Sequence, residues 1–236
     1  MRIARKISQF AVIASLALAN APAMADAITL GAGNIGQSYN FSFDGYSGGT
    51  TVTGLTSTAS FTLTGTTATS YTFNYSLANT TSNPVDSRLA GFAFNTDPDI
   101  SSASSTGAFS YTTIGGSYPN GIGSVDVCFK DASTGACAGS GNGGLLDGQT
   151  GTGSFTLNFA QALTSLTLSD FFVRYQSITG AGNVTSASGE GTMTSTGGTS
   201  VPEPGVLGMM LGGIAAIALL RRRRVVPAKA FRPAYA

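Results

Sequence analysis

Tyr71, Phe73, Tyr75 and Leu77 alternate with Thr72, Asn74 and Ser76, and this two-residue period recurs along the middle of the chain. Successive side chains of a β-strand point to opposite faces, so the period is that of a half-buried strand. Tyr39, Phe41 and Phe43 alternate with Asn40 and Ser42; Phe61 with Leu63, Phe92 with Phe94, Val125 with Val127 and Phe129, and Phe155 with Leu157 and Phe159 keep the same spacing. Leu166 and Leu168 lead into a longer run from Phe171 to Tyr175. No mid-chain segment has a helical period. Turn-rich pieces separate the runs: Asp44-Gly45, Ser47-Gly48-Gly49, Thr64-Gly65, Ser82-Asn83-Pro84 and Gly115-Gly116. This pattern predicts an all-β fold, a single β-sandwich-like ectodomain over residues 26–200, with short edges protected by twist, proline and charge. Such Ser, Thr and Gly content also suits disorder, but the 14 Phe and 8 Tyr placed in alternating runs argue for a packed core.

The charges are segregated. Between Ala27 and Ser200 the only basic residues are Arg88, Lys130 and Arg174, against nine acids, so this stretch is net −6. Nucleic acid requires clustered Lys and Arg to neutralise phosphates, and none is expected as a partner.

Both ends carry addresses. Arg2, Arg5 and Lys6 precede the apolar run FAVIASLALA, which leads to Ala23-Met24-Ala25. A charged head, a short apolar core and a small-x-small exit make residues 1–25 a signal peptide, cut between Ala25 and Asp26. The apolar run is too short to span a bilayer, which takes roughly 20 residues. At the other end, residues 205–220 read GVLGMMLGGIAAIALL. As a transmembrane helix at 1.5 Å per residue they give roughly 24 Å, short for a hydrocarbon core of about 30 Å. Arg221, Arg222, Arg223 and Arg224 follow as a stop-transfer cluster, which holds residues 225–236 in the cytoplasm and the body outside. Gly208 and Gly212 have the spacing that lets membrane helices approach. Before the helix, Val201-Pro202-Glu203-Pro204 is excluded from regular helix by its prolines and forms a stiff, extended handle.

Pro-Glu-Pro, a short Gly-rich apolar helix and an Arg cluster, in that order over residues 201–224 of a chain with a signal peptide, resemble the PEP-CTERM sorting signal, whose domain is also labelled from ice-binding proteins. The resemblance implies recognition of Pro202, Glu203 and Pro204 by exosortase, a membrane protease-transferase. It implies a transient anchor in the inner membrane, then transfer to the cell envelope or extracellular matrix of a Gram-negative bacterium that makes exopolysaccharide and biofilm. The family's tails usually end soon after the arginines, whereas this one runs on as VVPAKAFRPAYA. VDVCFKDASTGAC, the Gly-rich loop after it, FTLNF and FFVRYQSI also resemble the cistern subgroup.

Cys128 and Cys137 are the only cysteines, and in an exported chain a disulfide is the natural reading. Two Cys without His make half a zinc site. The following stretch, Ala138 to Gly153, reads as a mobile surface loop. Asp97-Pro98-Asp99 puts two carboxylates in one loop, and Asp126, Asp131 and Asp147 flank the cysteines. Calcium is the sharp reading of such oxygens, but no EF-hand spacing is present, and neither metal nor cofactor is expected. Absence of His removes Ser-His-Asp and Cys-His catalysis, Lys130 lies in no Ser-x-x-Lys motif, and no phosphate loop occurs. The expectation is a non-enzymatic structural protein associated with extracellular polysaccharide. The alternative is a carbohydrate-binding module using exposed Tyr111, Tyr118 or Tyr175, and an Asp-only hydrolase comes third. A row of Thr on a flat face would suggest ice binding; TTVTGLTST alone is too short to make one.

Overall fold

The computed structural model of the chain describes residues 26–134 and 137–197. The alternating segments become strands: β1 (Ile28–Leu30), β2 (Ser38–Ser47), β3 (Thr50–Thr66), β4 (Ser70–Asn79), β5 (Asp86–Asp97), β6 (Ser102–Gly107), β7 (Tyr111–Tyr118), β8 (Gly123–Lys130), β9 (Leu145–Leu146), β10 (Thr150–Asn158), β11 (Leu166–Thr179) and β12 (Ala187–Gly197). Among the described residues the only helical element is a 3-10 turn at Ala32–Asn34, and no helix is long and apolar enough to cross a membrane. The signal peptide and the apolar stretch 205–220 lie outside the described residues.

The strands join one sheet in the order β6-β10-β4-β3-β2-β12-β11-β5-β8-β7, with β1 added to β11 and β9 to β5. Its inward side chains meet across a core. Ring centroids lie 4.2 Å apart between Phe41 of β2 and Phe171 of β11, 5.4 Å between Phe61 of β3 and Phe92 of β5, and 4.8 Å between Phe155 of β10 and Phe129 of β8. The sheet therefore doubles back at β2 and β12, so that β6-β10-β4-β3-β2 faces β11-β5-β8-β7 as the layers of a sandwich.

Three of the expected turns are not turns. Asp44-Gly45, Thr64-Gly65 and Gly115-Gly116 lie inside β2, β3 and β7. The register slips between Asp44 and Gly45 and between Leu63 and Gly65, where glycine tolerates the bulge. Buried Leu55 lies over Gly45, where an added Cβ would sit 2.5 Å from that of Leu55. In β11 the inward set passes from Leu168 to Phe171, a change of parity absorbed by Asp170 in the left-handed region at φ 53°. Asn95 Nδ2 donates to the Asp170 carboxylate at 3.0 Å.

The stretch after the second cysteine is not a free loop. The Cys128–Cys137 disulfide forms, with Cα atoms 5.7 Å apart, and both residues are buried with Ala93, Tyr118, Val125 and Phe172 in a second apolar cluster. Beyond it the chain is tied down by backbone and side-chain bonds. Ser140 N–H donates to Asp131, Gln176 Nε2 to the Ala138 carbonyl, Arg88 to the Asn142 carbonyl, and Ser87 N–H to Asp147. Gly144, at φ +78°, lets the chain lie flat on β5, since a Cβ there would meet the Leu89 carbonyl oxygen at 2.4 Å. Asn79, fully buried, donates to the Leu145 carbonyl and to Asp147 and accepts from Thr81 N–H. A backbone that satisfies its polar groups this way has no reason to move.

Burial raises the pKa of both latch carboxyls, Asp131 and Asp147, although backbone N–H donors oppose the shift. A carboxyl raised on folding binds its proton more tightly in the native state. Its stabilising contribution is full below the unfolded-state value and is lost as pH rises through the raised one. Unfolding midpoints in urea should therefore fall as pH rises from about 4 through the raised values, and Asp147→Asn should flatten that slope. An unchanged slope in Asp147→Asn would remove Asp147 from the account.

The sheet edges also depart from expectation. β6 reads SASSTG and β7 reads YTTIGGSY, so neither end strand carries a charge or a proline.

Candidate functional site

The outer face of the β6-β10-β4-β3-β2 layer is built by the polar half of the two-residue period. On β2 the outward residues are Ser38, Asn40 and Ser42, ending at Asp44; on β3 they are Thr56, Thr58, Ser60, Thr62 and Thr64. On β4 they are Ser70, Thr72, Asn74, Ser76 and Ala78; on β10 Thr150, Thr152, Ser154, Thr156 and Asn158; on β6 Ser102, Ser104 and Thr106. Inside the Asp44 border, Ala78 is the one such position without a hydroxyl or amide.

Strand register turns these positions into rows. Ser38, Thr62, Asn74, Ser154 and Thr106 pair in succession across five strands, and Asn40, Ser60, Ser76 and Thr152 form the next row. Neighbouring strands lie about 4.8 Å apart and alternate residues about 6.8 Å apart, so the face is a two-dimensional lattice of hydroxyls. Its members hold one another. Ser38 and Thr62 hydroxyls are 2.7 Å apart, Thr72 and Thr156 3.0 Å, Thr106 and Ser154 2.9 Å, and Asn40 Nδ2 donates to Ser195 Oγ of β12 at 3.0 Å. These bonds fix rotamers, leaving the remaining donors and acceptors oriented outward. A shallow dip of about 270 Å³ lies over Ala78, bordered by Asn40, Thr58, Ser60, Ser76 and Thr194.

At the Asp44 end of β2 the surface opens into a depression of about 710 Å³ lined by Asp26, Asp44, Tyr46, Phe172, Glu190 and Thr192, among others. Asp26 accepts a hydrogen bond from Met193 N–H. Among the described residues no three acidic or Cys groups converge as metal ligands. Asp126 accepts from Thr96 N–H at 2.8 Å, and Asp131 and Asp147 latch the loop, so these three carboxylates serve the scaffold. Asp97 ends β5, and Asp99 is exposed beyond it.

Of the three tyrosines proposed for stacking on sugars, two are in the interior. Tyr175 is fully buried, its hydroxyl 2.7 Å from Ser57 Oγ, and Tyr118 is buried against Phe172. Burial pushes both phenols up in pKa. Tyr175 belongs to the main core and Tyr118 to the second apolar cluster, and the aromatic pattern does not distinguish such positions from display positions. Tyr111 alone is exposed, at 46%. The hydroxyl face was missed from sequence because its rows exist only once strands distant in the chain are aligned. Its signal was the Ser, Thr and Asn half of the alternations in β2, β3, β4 and β10.

The body's cations are all engaged. Lys130 and Arg174 are buried; Lys130 Nζ donates to Thr113 Oγ1 and the Thr134 carbonyl, and Arg174 to the Ala187 carbonyl and Asn120. Arg88 donates to the Asn142 and Gly143 carbonyls. The accessible face thus offers hydroxyls and amides without positive charge.

Pro202, Glu203, Pro204, Arg221 to Arg224 and Ala25 lie outside the described residues, and Asp26 is the first residue within them. The family profile of the PEP-CTERM protein-sorting motif matches residues 200–224. This motif implies an exported protein sorted by exosortase, with a transient C-terminal membrane anchor before processing. The match does not extend to the cistern subgroup. No curated protein and no solved structure matches the chain.

Proposed function

We propose that this exosortase-sorted protein is a non-catalytic component of the cell envelope or extracellular matrix of a Gram-negative bacterium, and that its hydroxyl face lies against exopolysaccharide. The observation that supports this is the register-aligned lattice of Ser, Thr and Asn across five strands. A glycan chain presents hydroxyls at short, regular intervals. A rigid array of donors and acceptors can exchange hydrogen bonds with it, each worth about 0.5–1.5 kcal/mol net. Many weak bonds on a pre-ordered surface give useful affinity because little side-chain entropy remains to be lost. The glycan is neutral, since no free cation on the described body is placed to receive uronate or phosphate groups, and nine acids oppose three bases between Ala27 and Ser200.

Cosedimentation of the full chain with an insoluble neutral β-glucan, and alginate as the acidic control, tests this. Saturable binding to the neutral polymer is expected. A Thr62→Val, Thr72→Val double variant, which keeps shape and removes two hydroxyls, should weaken it by about tenfold. Equal binding to alginate, or loss of binding only in Tyr111→Ala, would replace the lattice reading. The same rows admit a second reading, binding to ordered water, and freezing hysteresis without glycan affinity would favour it.

A further inference from the structure

We propose that the flank carrying β6 and β7 is a self-association surface, on which a second copy of this chain pairs edge to edge and extends both layers. The two strands are the ends of the sheet: as a strand β6 pairs only with β10 and β7 only with β8 among the described residues. They are consecutive in the chain and run close to one another, so both layers end on the same side. The corner between them is fixed. Phe109 is fully buried, its N–H donates to Tyr75 Oη at 2.9 Å, and that hydroxyl donates to the Thr106 carbonyl at 2.8 Å.

A free strand edge presents unpaired N–H and C=O groups to any chain that can match them. Natural sheets blunt such edges with Lys, Pro or inward-pointing charge. Neither β6 nor β7 has any of these, and β7 adds two exposed apolar side chains, Tyr111 at 46% and Ile114 at 43%. The occupant is another copy because the flank is complementary to itself. About a twofold axis normal to the layers, β6 would meet β6 and β7 would meet β7, each antiparallel. The body is net negative between Ala27 and Ser200, yet no acid lies on either edge strand, so two copies meet there without opposing like charges within the strands. Pairing through β6 would also carry the rows that end at Ser104 and Thr106 into the neighbour's, on the same side of the sheet.

Sedimentation of the full chain in detergent over a range of concentrations tests this. A concentration-dependent dimer is expected, with amides of β6 and β7 gaining protection from hydrogen exchange as concentration rises. Ser104→Lys and Ile114→Lys should each abolish the dimer while melting like the parent. Gly208→Leu, in the apolar C-terminal stretch, should leave it intact. A monomer at every concentration, a dimer that survives both edge variants, or one lost only in Gly208→Leu would overturn the proposal. Should an edge variant melt early, amide exchange at β6 and β7 of the parent decides: protection that does not change with concentration would also overturn it.

Discussion

Phe155→Ala is expected to lower the free energy of unfolding by about 3–5 kcal/mol, the upper range for truncating a single core side chain. Phe155 is 1% exposed and its ring contacts Phe61, Phe73, Tyr75, Phe92, Phe94 and Phe129. Those partners belong to β3, β4, β5 and β8, so one ring joins the two layers. Its removal opens a cavity whose walls are themselves stiff rings held by strand pairing, which limits collapse into the space. Domains of this kind have a total stability of about 5–15 kcal/mol, so the loss brings the variant close to unfolding at ordinary temperature. Guanidinium titration with unchanged slope and a shifted midpoint would be the signature. The matched control is Tyr111→Ala, an exposed aromatic expected to change stability by less than about 0.5 kcal/mol. Equal effects in the two variants would mean that the layers do not meet at Phe155.

Replacing Pro202-Glu203-Pro204 with three alanines is expected to hold the protein in the membrane fraction at its unprocessed mass. The motif match at residues 200–224 is the basis. Proline lacks a backbone donor and has a fixed φ angle, and the substitution removes both features together with the carboxylate of Glu203. Loss of exosortase should reproduce the phenotype with the native sequence. Fractionation with intact-mass measurement gives the answer directly: identical mass and location in parent and variant would reduce the tail to a plain anchor.

Much of the architecture was legible from the two-residue period alone. The runs at Tyr39–Phe43 and Tyr71–Leu77, and Phe155 with Leu157, each became a strand with the apolar side inward. The break between Leu168 and Phe171 was a written sign of the bulge at Asp170. β6 and β12 escaped notice because SASSTG and ASGEGTMTSTG have little apolar contrast; pairing with β10 and β11 makes them strands. Glycine misled in both directions. It marked turns at positions that were bulges, and it suggested mobility in a loop whose glycines instead allow close contact with β5. The hydroxyl face was half legible: its composition was plain, but its rows depend on a register that relates Ser38 to Thr106 through three intervening strands.

The bond between Asp26 and Met193 N–H brings the entrance and exit of the body together. Gly197, where β12 ends, is four residues farther on. The described body therefore begins and ends close together. A pull on the chain at Gly197 enters along β12, in the middle of the strand order, while β6 and β7 form the free hem. Neither hem strand pairs with β12 among the described residues, so a pull on the exit reaches the hem only through the strands between.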